Sequence, residues 1–297
     1  MKTLGIILAG GKSTRLYPAT LACSKQLLPV YDKPMVYYPL STLMLAGIRD
    51  YILISTGEDL PMFETLFKDA KAELGINIQF AVQHKPNGIA EALKIANVYQ
   101  TGFYEKYALI LGDNIFYGAT LSGELQFAEL IDDYAVVVSQ RVSDPRRFGV
   151  IEFDEEDRIL SIEEKPLIPK SNMIVTGLYF YPPDVFDKVG LLTPSMRGEL
   201  EITDLNNLYL KEGRLHAVQM KRGMAWFDSG TPDALLESSH FIQTLQTNQG
   251  VLVGSPHEIA YNNEWIDINM MNHVIDKFKN CWYGRGLEMC LEDNNDG

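Results

Sequence analysis

The sequence predicts an α/β protein built on a mostly parallel, doubly wound sheet. Short apolar runs of strand length alternate with longer segments of helical pattern between residues 4 and 138, and this alternation indicates β-α-β units with right-handed crossovers. The first run, residues 4–9, is apolar throughout, as expected of a strand buried on both faces. From residue 149 onward short strands are separated by turn residues, which predicts an antiparallel, β-rich part.

The elements of the first part follow in chain order. Pro34 suits the first position of a helix, so a helix is predicted at residues 35–46. A second helix is predicted at residues 59–74 and a third after Gly88. Apolar runs predict the remaining strands of this part at residues 51–55, 76–82, 107–111 and 135–138.

The second part has a different pattern. Short strands are predicted at residues 150–153, 159–162 and 176–181. A later helix is predicted to begin at Pro232, with Thr231 as its N-cap, and to run to about Gln246. We therefore divide the chain into a core, residues 1–240, and a mostly helical C-terminal segment, residues 241–297.

Composition bounds the class of protein. The 297 residues are 46% apolar and 22% charged, which is ordinary for one large globular domain or two joined ones. Lys and Arg total 26 against 39 Asp and Glu, and the net charge of −13 argues against sequence-independent nucleic-acid binding. Three scattered cysteines, Cys23, Cys281 and Cys290, do not make a disulfide framework and indicate a reducing cytosol. With no signal peptide or membrane span expected, the prediction is a cytoplasmic protein.

A glycine-rich turn with nearby cations follows the first strand. Gly10 and Gly11 allow a sharp turn that presents backbone N–H groups, and ligands bind beyond the carboxyl ends of strands in open α/β sheets. Lys12, Arg15 and Lys25 supply cationic donors close by. A plain strand-turn connection is the simpler interpretation of a glycine pair, but it leaves three cations unexplained. The segment is therefore interpreted as a site for the phosphates of a nucleotide.

A P-loop is a remote alternative, because Gly11, Lys12 and Ser13 imitate the end of the G-x-x-x-x-G-K-[ST] motif. The register fails by one residue, since the first glycine would have to stand at Ile6. A P-loop helix would also begin directly after the lysine, and Pro18 would interrupt it in its second turn.

Two aspartates suggest a cation site. Asp113 follows a predicted buried strand, and Asp228 follows an apolar step and precedes Gly230 by two residues. Mg²⁺ typically takes one or two protein carboxylates, with substrate phosphates and water completing its octahedron. For either aspartate alone, a role as turn former or N-cap is at least as good an interpretation.

Several blocks of the sequence resemble the glucose-1-phosphate thymidylyltransferases. The resemblance extends to about Ile266 and rests on blocks in the same order as in that family. These blocks are GGKSTRL at 10–16, SKQLLPVYDKPM at 24–35, GDNIFYG at 112–118, EEKP at 163–166, TGLYFY at 176–181, RGELEITD at 197–204 and AWFD at 225–228.

The resemblance implies a Rossmann-like nucleotidyltransferase. Its reaction would be Mg²⁺-dependent transfer from dTTP to α-D-glucose 1-phosphate, giving dTDP-glucose and pyrophosphate, as the first step of dTDP-rhamnose or related deoxysugar synthesis. A nucleotide half at about residues 1–118 and a β-rich sugar-binding half at about 119–240 would form the core. A homotetramer is implied, with the C-terminal segment serving assembly or regulation.

The same resemblance assigns roles by position. The positions around the nucleotide are Leu8, Gly11, Ser13, Thr14, Arg15, Lys25, Gln83 and Gly88. The positions that hold the sugar phosphate are Asn114, Gly149, Glu164, Lys165 and Val175. Asp113 and Asp228 match the magnesium ligands. Arg15, Lys25 and Lys165 are predicted to act catalytically through their charge, because the attacking sugar phosphate is already anionic and needs no general base.

The sequence departs from the family pattern at a few positions. Ser13 stands where glycine is usual, so a side chain must accept a conformation that favours glycine, and its hydroxyl becomes available to a phosphate. The family also has a second nucleotide site near a subunit interface. There Ala119 replaces a histidine and His257 a common glutamate, so we predict weak inhibition by dTDP-rhamnose. Tyr179 and Trp226 are interpreted as core aromatics rather than site residues.

A non-catalytic sugar-nucleotide binder is the second alternative function. Such a binder would be free to lose Arg15, Lys25, Asp113 and Asp228, and all four are present. The base specificity stays open, because thymine and uracil differ by one methyl group, which is worth only about 1–3 kcal/mol of discrimination.

Overall fold

A computed structural model describes residues 2–295 of the chain. Its strands are β1 (Thr3–Leu8), β2 (Pro29–Val30), β3 (Lys33–Pro34), β4 (Asp50–Ser55), β5 (Asn77–Val82), β6 (Lys106–Leu111), β7 (Asn114–Tyr117), β8 (Ala135–Arg141), β9 (Gly149–Phe153), β10 (Ile159–Glu164), β11 (Met173–Tyr181), β12 (Leu215–Gln219) and β13 (Ala225–Asp228). Its helices are α1 (Tyr37–Leu45), α2 (Leu60–Leu66), α3 (Ala70–Glu73), α4 (Glu91–Tyr99), α5 (Leu121–Leu130), α6 (Val185–Gly190), α7 (Ile202–Lys211), α8 (Pro232–Gln249), α9 (Pro256–Asn262), α10 (Ile268–Phe278) and α11 (Trp282–Asn295).

Four parallel strands form one half of a nine-stranded sheet. β1 lies between β6 and β4, and β5 pairs with the far edge of β4. Leu4 and Ile6 pack into one apolar cluster, whereas Ile7 packs into a second cluster. β1 is therefore buried on both faces, as the apolar run predicted.

β11 joins the parallel strands to the antiparallel half of the same sheet. It is buried along its whole length and pairs antiparallel with β6, β8 and β9. β10 extends the sheet beyond β9, and β12 pairs parallel with β8. The predicted α/β class and the antiparallel β-rich part are confirmed, and the complete sheet is mixed.

A small two-stranded ribbon lies apart from this sheet. β7 and β13 pair antiparallel, with Asp228 opposite Asn114 in the register. These strands are more than a hundred residues apart in sequence, and neither was predicted. The ribbon brings the segment that follows β6 against the segment that precedes α8.

Two predicted helices are wrong in their bounds. The helix predicted at 35–46 begins only at Tyr37, with Val36 as its N-cap, because Pro34 belongs to β3 and pairs with Pro29 of β2. The helix predicted at 59–74 is split into α2 and α3. A turn separates them where the ring of Phe67 packs into the core, 5.8 Å from that of Tyr37.

The later helices continue the core. Thr231 caps α8 as predicted, its hydroxyl accepting a hydrogen bond from the Ala234 backbone at 3.3 Å. α8 runs through residue 240, and Ala260 of α9 and Met271 of α10 share an apolar cluster with Ile7. Over residues 2–295 no helix combines the length and apolar character needed to cross a membrane.

Candidate active site

The glycine turn lies directly after β1, at the predicted place. Gly11 has φ +98°, which side chains rarely adopt. Ser13 adopts the left-handed region with φ 49° and ψ 35°, at a cost of about 1–2 kcal/mol for a residue with a side chain. The Ser13 carbonyl accepts a hydrogen bond from Thr20 Oγ1 at 2.9 Å. Its own hydroxyl is buried and makes no hydrogen bond within the described part of the chain.

The turn does not lead into a P-loop helix. The described residues 10–24 contain no α-helix, and only one 3-10 turn, Thr14–Leu16, follows Ser13. The P-loop alternative is therefore wrong, as the position of Pro18 had indicated.

The β7–β13 ribbon brings the two predicted metal ligands together. Asp113 immediately precedes β7, and Asp228 is the last residue of β13. The Ser229 backbone N–H donates to the Asp113 carbonyl at 3.0 Å, which fixes the two chain segments side by side. Lys25 completes the group, because its ammonium donates to Asp113 Oδ2.

The electrostatics confirm that the two carboxylates interact. Burial by itself raises the pKa of Asp113, but the charge and hydrogen bond of Lys25 outweigh it, so this pKa lies below its usual value. Burial, together with the charge of Asp113, raises the pKa of Asp228, which Lys25, Arg15 and Arg147 only partly oppose. Two like charges held in one buried place would be relieved by an added cation.

Arg15 reaches the same group across Gly230. A Cβ at Gly230 would lie 2.7 Å from Arg15 Nη2 and 3.0 Å from Asp228 Oδ1. The missing side chain of Gly230 therefore leaves the space in which guanidinium and carboxylate approach each other.

Asn114 is held on both ends of its amide. Its Oδ1 accepts hydrogen bonds from Trp226 Nε1 at 2.7 Å and from the Gly177 backbone at 3.0 Å, and its Nδ2 donates to Asp113 Oδ1 at 3.1 Å. A Cβ at Gly177 would come within 2.5 Å of that oxygen. Asn114 thus fixes the orientation of Asp113 from the sheet side.

Glu164 and Lys165 lie at the end of β10. Glu164 accepts a hydrogen bond from Thr203 Oγ1 at 2.6 Å, and Lys165 Nζ and Arg197 Nη2 lie 3.2 and 3.4 Å from its Oε1. Lys165 has φ 46°, and its backbone N–H donates to Phe148 at 3.0 Å. Strained backbone of this kind concentrates at functional sites.

One cavity of about 260 Å³ collects most of the predicted residues. Its lining includes, among the predicted positions, Arg15, Asp113, Asn114, Gly149, Glu164, Lys165, Val175 and Asp228. Predicted positions outside the lining are Leu8, Gly11, Ser13, Thr14, Lys25, Gln83 and Gly88. Lys25 nevertheless reaches the cavity through its ion pair with Asp113.

Gln83 lies against the glycine turn, and Gly88 lies against the backbone of Leu200. Gln83 is 7% exposed, and a Cβ at Gly10 would lie 2.6 Å from its Oε1. Its Nε2 donates to Glu91 Oε2 at 2.8 Å, so Gln83 is a held side chain and not a free loop residue. Gly88 has φ +106°, and a Cβ there would lie 2.4 Å from the carbonyl of Leu200.

The sequence analysis missed several lining residues. Arg147, Arg197 and Thr203 line the cavity, and two of them lie in the RGELEITD block that carried the resemblance. Tyr179 lies in the core and Trp226 packs against it, and both rings also line the cavity. The long-range pairing that exposes Trp226 to the cavity leaves no local signal in the sequence.

A second groove of about 230 Å³ lies between α1, β7 and α9. Tyr117, Gly118 and Glu258 are among its lining residues. His257 is 2% exposed, with its Nδ1 2.8 Å from the Tyr283 hydroxyl. The imidazole is thus engaged in the core.

The two carboxylates fit a divalent cation that is bound by the protein and by a substrate together. Within residues 2–295 no group of three or more His, Cys, Asp and Glu side chains is arranged to hold a metal ion. Two carboxylates do lie together, since the charge of Asp113 helps to raise the pKa of Asp228. Such a pair suits Mg²⁺ when phosphate oxygens complete the coordination.

Comparison with known proteins gives a consistent result. The family model described as nucleotidyl transferase matches residues 4–244. A glucose-1-phosphate thymidylyltransferase of Xanthomonas campestris pv. campestris (strain B100) is 49% identical over 283 residues, covering 95% of each chain. The enzyme of the same name from Mycobacterium tuberculosis (strain ATCC 25618 / H37Rv) is 48% identical over 290 residues, covering 98% of this chain and 99% of its own.

Solved structures share the fold. A Bacillus anthracis protein assigned as a glucose-1-phosphate thymidylyltransferase, in complex with sucrose, superposes with a TM-score of 0.72 and 39% identity, covering 80% of this chain and 94% of its own. A UDP-glucose pyrophosphorylase in complex with UDP-glucose gives a TM-score of 0.72 at 24% identity, covering 82% of this chain and 99% of its own. At that identity the second likeness concerns the Rossmann-like fold alone.

Proposed function

We propose that this chain, which belongs to the nucleotidyl transferase family, joins dTTP to α-D-glucose 1-phosphate. The chain is a nucleotidyltransferase of the glucose-1-phosphate thymidylyltransferase group. The products are dTDP-glucose and pyrophosphate. The observation that carries the proposal is that one cavity is lined by Arg15, Asp113, Asp228, Glu164 and Lys165, with Lys25 paired to Asp113. A reaction between two polyanions needs cations and metal-binding carboxylates gathered in this way.

The reaction is an in-line displacement at the α-phosphorus of the nucleotide. An oxygen of the sugar phosphate forms the new bond, and the bond to the bridging oxygen of the β-phosphate breaks, so pyrophosphate leaves with the electron pair. No proton has to be removed from the nucleophile. The protein's contribution is therefore alignment and stabilisation of developing charge.

The cations of the site divide this work. Arg15 and Lys25 are proposed to stabilise the departing pyrophosphate, since they lie on the side of the glycine turn. Lys165 is proposed to hold the phosphate of the sugar, with Arg197 beside it. Glu164 has two carboxylate oxygens with which to accept hydrogen bonds from sugar hydroxyls. Gln83, held by Glu91, is proposed to read the base.

Asp113 and Asp228 would hold Mg²⁺. Bound there, the ion would supply electrostatic screening of the α-phosphate and hold both reactants in place. Asn114 keeps Asp113 oriented for that role through its 3.1 Å hydrogen bond.

The first test replaces each carboxylate with its amide. Asp113→Asn and Asp228→Asn should each abolish Mg²⁺-dependent pyrophosphate release, because each removes a ligand charge, while circular dichroism and the melting temperature show a folded protein. Turnover at the unmodified rate in either variant would refute the metal assignment. Asp233→Asn, an exposed carboxylate in the first turn of α8, is the matched control and should keep full activity.

The second test addresses the substrates. Pyrophosphate release should be measured for a matrix of nucleoside triphosphates against hexose 1-phosphates. We expect the highest kcat/KM for dTTP with glucose 1-phosphate and a preference over UTP of about 10–200-fold, the worth of one methyl contact. Release with dTTP and no sugar phosphate, or with another sugar phosphate only, would overturn the substrate assignment. Activity in the matrix would also exclude the non-catalytic binder.

A further inference from the structure

Lys25 is bonded to one of the two carboxylates that we assign to the metal. Its ammonium donates to Asp113 Oδ2, and the two side chains are only 14% and 9% exposed. The other oxygen, Oδ1, accepts the hydrogen bond from Asn114 at 3.1 Å. Both oxygens of Asp113 are therefore engaged by donors of the protein itself.

A cation at Asp113 Oδ2 would meet the Lys25 ammonium at the same oxygen. Two positive charges at such a short distance repel each other strongly in a buried site, because solvent screens them little there. The incoming ion would also have to replace a charge-assisted hydrogen bond, which is among the stronger polar contacts in a protein. Lysine carries a compact charge on a flexible stem, so Lys25 can exchange one anionic partner for another.

The triphosphate of the nucleotide offers Lys25 that other partner. Lys25 begins the 3-10 turn Lys25–Leu27, which follows the phosphate-binding loop of the glycine turn. An ammonium drawn onto a phosphate oxygen leaves Asp113 Oδ2 uncompensated, and a buried carboxylate without a partner is costly. A divalent cation then restores the balance at Asp113 and Asp228.

We propose that Lys25 takes the place of the metal ion in the nucleotide-free protein and that it must leave Asp113 before the ion can bind there. The inference rests on the proposed function, because it uses the assignment of Asp113 as a metal ligand. Lys25 thereby makes metal binding depend on the nucleotide and protects Asp113 while the site is empty. A permanent Lys25–Asp113 pair, kept throughout turnover, is the competing arrangement.

The test is the affinity of the nucleotide-free protein for Mn²⁺ alone, followed by electron paramagnetic resonance of the free ion. Lys25→Gln removes the charge but keeps a donor for Asp113, and it should bind Mn²⁺ at least about tenfold more tightly than the unmodified chain. Lys165→Gln is the matched control, since it removes the same charge from the same cavity at a lysine paired with Glu164. It should change the affinity by less than about twofold.

Two results would overturn the proposal. Equal Mn²⁺ affinity in Lys25→Gln and the unmodified chain would mean that Lys25 does not compete with the ion. An equal gain in Lys165→Gln would mean that the effect is general electrostatics. Adding Asp113→Asn to Lys25→Gln should remove the gain, because it removes the ligand that Lys25 had occupied; a gain that persists would contradict the assignment to Asp113.

A measurement on the unmodified chain does not depend on how the variants fold. Acylation of lysines, followed by mass spectrometry, should be slow at Lys25 and several-fold faster once Mn²⁺ saturates the protein. Acylation of Lys165 should not change. Unchanged labelling of Lys25 at saturating Mn²⁺ would show that the ion pair persists and would overturn the proposal. No nucleotide or sugar enters any of these measurements. They can therefore succeed where the substrate matrix fails, and they can fail where the substrate matrix succeeds.

Discussion

Gly230 is a single residue on which the geometry of the charged group depends. Replacing it with alanine would put a methyl group 2.7 Å from Arg15 Nη2 and 3.0 Å from Asp228 Oδ1, and both side chains would have to move. We expect Gly230→Ala to lower kcat/KM by about 10²-fold, the order of effect of a misplacement of about 1 Å. Steady-state kinetics with pyrophosphate detection measures this.

Gly123→Ala provides the control for that change. Gly123 is exposed on α5, and a Cβ at this position would have no atom of the described chain within 4 Å beyond its own helix backbone and chain neighbours. The variant should keep full activity and gain about 0.5–1 kcal/mol of stability, because alanine is the better helix former. Unchanged kcat/KM in Gly230→Ala would show that Arg15 and Asp228 tolerate displacement.

Single residues also show which parts of the site can be predicted from the sequence. The type of Asp113, Arg15 and Lys165 predicts charge chemistry, and the structure brings all three to one cavity. Arg197 hydrogen-bonds with Glu201, four residues further along, and lies 3.4 Å from Glu164. The second contact joins residues far apart in the chain, so no spacing in the sequence encodes it.

At the level of elements, the pairing of β7 with β13 decides the site. Each strand has only four residues, and the partners lie far apart in the chain. Local periodicity cannot reveal such a pair, whereas the apolar runs within the six-residue strands β1, β4 and β6 could be predicted because burial alone specifies them. The start of α1 was misplaced for a related reason, since Pro34 pairs with Pro29 in the two-residue strands β3 and β2.

A cluster around Glu73 fastens α3 to the helices after residue 250. Glu73 Oε1 accepts a hydrogen bond from Lys277 of α10 at 2.5 Å, and His257 of α9 lies 3.8 Å from its Oε2. The nearby His257, together with the hydrogen bond and charge of Lys277, outweighs burial and lowers the pKa of Glu73 from 4.5 to about 2.

This shift predicts a pH dependence of stability. A carboxylate whose folded pKa is depressed stabilises fully above its unfolded pKa of about 4.5, and the effect is lost as pH falls through about 2. Glu73→Gln should therefore lower the free energy of unfolding by about 2 kcal/mol at pH 7, and the difference from the unmodified chain should shrink below pH 4.5. Urea unfolding at a series of pH values measures it.

The control for Glu73 is Glu64→Gln, at an exposed position on α2. Its free energy of unfolding should stay within about 0.5 kcal/mol of the unmodified chain at every pH. A stability difference for Glu73→Gln that did not vary between pH 7 and pH 2.5 would contradict the assignment of the effect to ionisation.

At the level of the whole molecule, we propose that residues 241–297 serve assembly or regulation, and that the protein is a cytoplasmic homotetramer. Sedimentation equilibrium of the full chain tests the tetramer. The sequence predicted the helical character of this segment from its pattern. It could not predict that Met271 and Ala260 complete the cluster that covers one face of the central sheet.

Regulation at the family's second nucleotide site should be weak in this chain. Ala119 lacks the polar side chain usual at its position, and the imidazole of His257 is engaged with Tyr283 in the core. We therefore expect little inhibition of pyrophosphorolysis by dTDP-rhamnose. Ala119→His should increase the inhibition, whereas strong inhibition of the unmodified chain would contradict the expectation.

The position of β11 limits how this enzyme could be recombined with its relatives. β11 is buried over all nine residues and pairs with β6 of the parallel half as well as with β8 and β9. A chimaera that takes its antiparallel strands from another enzyme would therefore have a poorly packed junction between β11 and β6 in the middle of the sheet. Exchange of substrate preference is therefore more accessible through cavity residues than through transplanted halves.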